Sequence, residues 1–266
     1  MSMRASRCRE CPPYPSEQQD PHSRRLYDAV DYRRFNVTEE HIRKARHASF
    51  ANISYLDDKL GELLTVLKQC DFDQSTQIIL CADHGDMLGE RGLWYKMNFF
   101  EGSSRIPLVI ASPSNPIARR VSTPVALHHV LPTLVEIAGG NSHDIVAEID
   151  GRSVIGLAAG HEDAKRAVYS EYCAEGSVGP MIMIRRGNDK FCFCAQDPPQ
   201  LFDLERDPLE TRNLATDPAL ADVVSAFTRD VKDSQQYRHL VNSANRIGKF
   251  ASWDFQPQVD ARYPKR

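Results

Sequence analysis

No apolar run in the sequence approaches the ~18 residues that cross a bilayer, so no membrane span is expected. The first residues, MSMRASRCRECPPYPSEQQDP, hold no apolar core of the kind a secretory leader needs. Neither sign of charge is in excess: 33 Lys and Arg face 36 Asp and Glu, a net charge of −3. That balance gives no electrostatic reason to bind nucleic acid and no acidic solvating tail. There is no cysteine framework either. Seven cysteines, an odd number at irregular spacings, predict reduced thiols in a cytoplasmic setting. Internal repeats and low-complexity tracts are absent as well.

What is present is ordinary for a soluble globular chain. Its 266 residues, 41% hydrophobic and 26% charged, suffice for one large α/β domain or two smaller ones. Residues 1–24 are polar and rich in Pro and Arg, and read as a flexible lead-in. A long helix is predicted from Thr38, an N-cap residue followed by Glu39 and Glu40 at the positive end of the dipole, to about residues 70–72. Ile53, Leu56, Leu60, Leu63, Leu64 and Leu67 recur at three- and four-residue steps, which predicts one buried face. Residues 76–82 and 107–111 are continuous apolar runs, the pattern of strands buried on both faces of a parallel sheet. Residues 126–138 read as a helix stopped by Gly139-Gly140, with Pro132 in its first turn or at a kink. Beyond Asp150-Gly151 the texture changes. Short runs at 167–172, 181–185 and 190–194, then a helix from Pro218 to about Val231, predict a small antiparallel sheet with a helix.

The stretch with chemical content is Ala82-Asp83-His84-Gly85-Asp86-Met87-Leu88-Gly89-Glu90, running on to Lys96. Asp83 and His84 follow a predicted strand, and ligand groups in open α/β sheets collect at strand C-termini. An ionised carboxylate beside a neutral imidazole is a plausible pair of ligands for a hard divalent cation. Lys96, across a Gly-rich loop, is a compact ammonium able to neutralise an anion or a leaving oxygen. The same residues also fit a helix cap or turn and a solvated lysine, and the pattern alone reaches no further than a candidate anion or metal site.

Four ordered motifs carry a resemblance. Residues 82–90 resemble the DHG-D-x-x-G-E/D motif of the sulfatase family, within the alkaline phosphatase superfamily. Gly92 to Met97, then Phe100 to Leu108, are similar to its G-x-x-x-K and E-x-x-x-R-V-P-L elements. Leu131-Pro132-Thr133-Leu134 is similar to its VLPTL helix, and residues 201–215 to its L-[YF]-D-L-x-x-D-P-x-E-x-x-N-L-A signature. Residues 51–59, 89–97, 171–176, 185–187 and 253–257 are most similar to the choline-sulfatase branch. The resemblance implies a partial α/β fold: a mostly parallel sheet flanked by helices over residues 25–164, then a small C-terminal α+β subdomain over 165–266. It implies that Asp83 and His84 are Ca2+ ligands facing the sulfate. Lys96 would contact the sulfate and help the leaving oxygen depart. Glu175, with Glu171 as the second candidate, would face a trimethylammonium group, a sensible charge match. The late signature reads as structural: Asp203 and Asp207-Pro208 make turns, while Leu201, Phe202 and Leu204 pack. The implied reaction is hydrolysis of choline sulfate, a small-molecule sulfate ester, in a homo-oligomer whose tail, residues 253–266, packs on a neighbour.

The family's nucleophile is a formylglycine made from the Cys or Ser of C/S-x-P-x-R, and no such motif occurs in the 266 residues. Cys11-Pro12-Pro13-Tyr14-Pro15 has Pro where Arg is required, and Cys81, ahead of Asp83, reads as a buried core thiol. The chain alone is therefore expected to be inactive. Two alternatives stand beside the sulfatase: a phosphodiester or phosphonate monoester hydrolase of the same superfamily, and a non-catalytic remnant that binds or stabilises a partner.

Overall fold

The computed structural model describes residues 18–29, 34–113, 118–161, 163 and 165–247. Helix α1, Pro21–Ala29, begins inside the segment read as a flexible lead-in, and it docks firmly: His22, Ser23 and Leu26 are buried. Helix α2, Glu39–Gln69, starts where Thr38 predicts, with a capping box in which Thr38 accepts from the His41 N–H and the His41 ring accepts from the Thr38 N–H. It ends at Cys70.

The predicted buried face of α2 is not buried. Ile53, Leu56, Leu63 and Leu64 are between 43% and 63% exposed, and the buried residue of this helix is the charged Arg46. Strand β1, Ile78–Cys81, is followed by the short β2, Met87–Leu88, and β3, Trp94–Tyr95, which pair with each other. Next come the single helical turn α3, Glu101–Ser104, and strand β4, Leu108–Ala111. β1 pairs with β4 antiparallel, in register Ile78 to Ala111, as a two-stranded sheet. The expected parallel arrangement, buried on both faces, is thus not what these two strands form among the described residues. A two-stranded ribbon cannot cover its own faces. Leu80 (44%) and Val109 (52%) remain open, and Cys81 is an exposed thiol rather than a core one.

A 3₁₀ turn, Leu127–His129, leads into α4, Val130–Ile137, so Pro132 sits in the first turn, where its missing N–H costs nothing. Pro132 and Thr133 are buried, while Leu131 and Leu134 on the other side are open. Gly139, at φ 82°, ends the helix as predicted. The short α5, Ile155–Ala158, precedes the best-packed region.

That region is a four-stranded antiparallel meander of β5, Ala167–Tyr172; β6, Met181–Arg186; β7, Asp189–Cys194; and β8, Asp197–Asp203. Helices α6, Ala221–Asp233, and α7, Gln235–Ile247, cover one face through Ile182, Ile184, Phe191, Phe193, Phe227 and Val231. Side chains alternate across a strand, so Met181, Met183, Cys192 and Cys194 project from the other face, onto Phe99 just before α3. Phe202 and Leu204 join Met87, Leu93 and Phe100 in an adjoining cluster. The C-terminal sheet is therefore a platform with helices beneath it and the β2–α3 loops above. Among the described residues no helix is long and apolar enough to cross a membrane.

Candidate active site

Asp83 and His84 lie just beyond the C-terminal end of β1, and Lys96 directly follows β3. The structure brings all three together. Lys96 Nζ is 2.7 Å from His84 Nε2, and Asp83 Oδ2 is 3.3 Å from the same nitrogen. His84 Nδ1 is 2.9 Å from the Gly85 carbonyl, which can only accept. The ring proton therefore sits on Nδ1, and the Nε2 lone pair accepts from the Lys96 ammonium. The Asp83 carboxylate stands out in solvent, 83% exposed, and receives the His84 backbone N–H on Oδ1 at 3.0 Å. That hydrogen bond, helped by the Lys96 charge, holds the Asp83 carboxyl below its ordinary range.

The loops holding this trio are tightly built. A Cβ on Gly85 would collide with the carbonyl oxygen of Gly102, so only glycine allows this approach. The Gly85 N–H donates to the Ser103 carbonyl at 2.7 Å, and Ser103 Oγ donates to the Lys96 carbonyl at 2.7 Å. One residue of α3 thus ties both halves of the site. Glu90 accepts the Leu88 N–H on one oxygen and pairs with Arg46 at 2.8 Å through the other. Arg91 (φ 53°), Tyr95 (φ 67°) and Glu210 (φ 55°) are non-glycine residues in the left-handed region, each costing on the order of 1 kcal/mol or more, and all three belong to this assembly.

Glu175 and Glu171 are placed differently. Tyr172 OH lies 3.2 Å from Glu175 Oε2 and 3.0 Å from the Glu175 carbonyl oxygen. Burial, then the Glu175 charge, pushes the Tyr172 phenol up, so it stays a donor. Tyr172 packs edge-on against Phe99 and His22, on the same side of the sheet as the Lys96 loop. Glu171 alternates to the opposite side, toward His239 of α7, and burial raises its carboxyl. His22 completes the link, its Nε2 2.7 Å from the Met97 carbonyl and its Nδ1 3.1 Å from the Gly176 carbonyl. Lys96 and Glu175 are therefore each one residue from opposite ends of a single imidazole bridge. Arg25 reinforces it, donating to Gly176 at 2.6 Å and pairing with both oxygens of Asp197.

Asp83 and His84 offer a carboxylate and an imidazole lone pair, chemistry that suits two positions of a divalent metal shell. They do not make a calcium site by themselves, because calcium takes six to eight oxygen ligands. Among the described residues no group of three or more His, Cys, Asp or Glu could hold a metal ion. The Cys11 stretch and the tail at 253–266 lie outside the described residues.

His22, Arg91, Lys190 and Glu210 were not legible as site-building residues. Glu210 is the Glu of the D-P-x-E signature, and that motif position was the available signal, because its left-handed backbone is visible only in the structure.

The chain is similar to known proteins along most of its length. Residues 12–140 match the Sulfatase family model, 89–237 the model for N-sulphoglucosamine sulphohydrolase, C-terminal, and 229–263 that for Choline sulfatase enzyme C terminal. A choline-sulfatase of Rhizobium meliloti (strain 1021) is 45% identical over 259 residues, 91% of this chain and 50% of that protein. Arylsulfatase K of Danio rerio is 31% identical over 228 residues, covering 82% of this chain and 43% of that one. Among solved structures, the phosphonate monoester hydrolase of Agrobacterium radiobacter superposes with a TM-score of 0.65 at 27% identity, over 73% of this chain and 42% of its own. A 2-O GAG sulfatase gives 0.69 at 21% identity over 90% and 54%, a likeness of fold alone. The chain spans about half the length of the curated relatives it matches. With one family model covering more than half of the chain and 45% identity to a choline-sulfatase, the chain belongs to the sulfatase family, with a partial α/β fold of the alkaline-phosphatase-like type.

Proposed function

We propose that this chain supplies the leaving-group and cation-recognising side of a choline-sulfatase-type active site, in which choline sulfate and water give choline and sulfate. The observation that carries it is the 2.7 Å contact of Lys96 Nζ with His84 Nε2, with Asp83 Oδ2 at 3.3 Å. In this reading Lys96 contacts a sulfate oxygen and gives its proton to the choline oxygen as the S–O ester bond breaks. Glu175, held by Tyr172, faces the trimethylammonium group. In the family, Ca2+ neutralises sulfate oxygens and formylglycine supplies the attacking oxygen. The 266 residues contain no C/S-x-P-x-R motif, so the chain by itself binds but does not turn over. A small-molecule sulfate ester is the ligand, and no nucleic acid or membrane partner is invoked.

Calorimetry with choline sulfate and Ca2+, paired with a sulfate-release assay, tests this. Expected are binding that needs both the sulfate and the trimethylammonium group, a roughly tenfold loss in Lys96→Ala, and no sulfate release. Turnover by the isolated chain would overturn the missing-nucleophile reading. Preference for a phosphonate monoester would favour the alternative suggested by the 27% identical hydrolase neighbour. Absence of any specific binding would leave the non-catalytic partner role.

A further inference from the structure

Lys190 is a lysine buried to 1% exposure, on the site-facing side of β7. Its three N–H groups find three acceptors: the Phe99 carbonyl at 2.8 Å, Glu101 Oε1 at 2.7 Å and Glu210 Oε1 at 2.8 Å. Glu210, 3% exposed, turns its other oxygen to the Glu101 backbone N–H at 2.6 Å. Its carbonyl accepts from Arg91 Nη1 at 2.6 Å, so the same residue also grips the loop between β2 and β3.

Apart from the Arg91 contact, these bonds converge on α3 and the two residues before it. α3 is a single turn, too short to hold its shape unaided. Its Ser103 is the residue that binds Gly85 through its carbonyl and Lys96 through its hydroxyl. A continuous path of bonds therefore runs from β7 of the C-terminal sheet to the His84–Lys96 contact.

A buried ion pair is a poor way to gain stability, since a well-packed apolar replacement does as well or better. Glu210 also adopts a left-handed backbone, which glycine or asparagine would take more easily. What carboxylate and ammonium provide, and apolar side chains do not, is directional contact to backbone atoms of residues 99 and 101. We propose that Lys190 and Glu210 are positioning residues, reaching from the C-terminal subdomain through α3 and Ser103 to fix the distance between His84 and Lys96. The assignment rests on the sulfate-site reading for its purpose, but not for its test.

The test reads two local signals in metal-free protein by NMR: hydrogen exchange of the Gly85 amide, and the ring-nitrogen shifts that mark His84 as the Nδ1–H tautomer. Glu210→Gln keeps an oxygen for Lys190 but cannot accept from the Glu101 N–H. Ser103→Ala removes the hydroxyl bridge without disturbing the buried charges. Expected in both are Gly85 exchange faster by about tenfold and a mixed His84 tautomer. Asp230→Asn, which breaks the Arg186–Asp230 pair tied to α6, should move neither signal. Lys190→Met should act like Glu210→Gln if it folds, and the other two variants decide the matter if it does not. Parent-like signals in folded Glu210→Gln and Ser103→Ala, or equal changes in Asp230→Asn, would overturn the proposal. Neither signal involves substrate, so failure here is distinct from failure of the sulfatase reading.

Discussion

Arg46 and Glu90 form a 2.8 Å ion pair that fastens the N-terminal third of a 31-residue helix to the loop between the two halves of the candidate site. The Arg46 side chain is 9% exposed and also donates from Nε to the Leu88 carbonyl at 3.1 Å. Arg46→Met would leave that carbonyl and a half-buried carboxylate without their partner. A loss of about 1–3 kcal/mol is expected, measured by urea unfolding. Glu90→Gln, which keeps one acceptor oxygen but removes the charge and one of the two hydrogen bonds that Glu90 accepts, should lose less than Arg46→Met. Equal losses in the two variants would overturn that order and place the stabilisation in the ion pair's charges.

His129 gives the chain a pH dependence of definite sign. The ring is 4% exposed, its Nδ1 accepts from the Arg152 N–H at 3.0 Å, and its Nε2 has no hydrogen-bond partner among the described residues. Burial, then the neighbouring His128 and Arg166 charges, pulls its pKa down from 6.5 to about 4. A histidine lowered in the folded state resists protonation that the unfolded chain accepts. Its contribution is intact above about 6.5 and is lost as pH falls from there toward 4, by up to about 2–3 kcal/mol. Unfolding free energies at pH 7 and 4.5 should show that fall, and His129→Asn should flatten it. An unchanged slope in the variant would refute the assignment to this ring.

The open face of α2 predicts association. Leu56, Leu63 and Leu64 lie within three turns of one helix, at 63%, 53% and 43% exposure, close to the range in which apolar patches become sticky. Replacing the three with Gln should cost within about 0.5 kcal/mol each, because little packing is lost. Light scattering should show less self-association. A large loss of stability would mean that this face is covered in solution.

Much of the fold was legible, and the misreadings share a cause. The Thr38 cap, the Pro132 first turn and the alternation of β5 to β7 are local patterns, and each formed where the residues predicted. β8, which carries Pro198 and Pro199, was not among the strand runs read from the sequence. Proline has no ladder donor, and β8 tolerates it by lying at the sheet edge. The α2 stripe and the β1 and β4 runs were read correctly as apolar, but burial depends on what packs against them, which no local pattern records. The site divides in the same way. Asp83, His84 and Lys96 sit in one contiguous motif, whereas Lys190 and Glu210 reach it through bonds that span 91 and 109 residues; Lys190 carries no local signature, and the D-P-x-E motif of Glu210 does not record what it touches.

The His84 lone pair leads to the last prediction. Nε2 accepts from Lys96 in this structure, and the same lone pair is what a divalent cation would need. Metal and ammonium therefore compete for one site, and their like charges repel. With two protein ligands, binding should be weak, with Kd on the order of 10⁻³ M. Lys96→Met should bind metal more tightly than the parent, against the ordinary expectation for a loss at an active site. Asp83→Asn should abolish binding by removing the carboxylate. Broadening of the His84 ring signals by Mn2+ measures all three proteins under one condition. Weaker binding in Lys96→Met would show that lysine and metal do not share that nitrogen, and that the Lys96–His84 contact serves the imidazole in some other way.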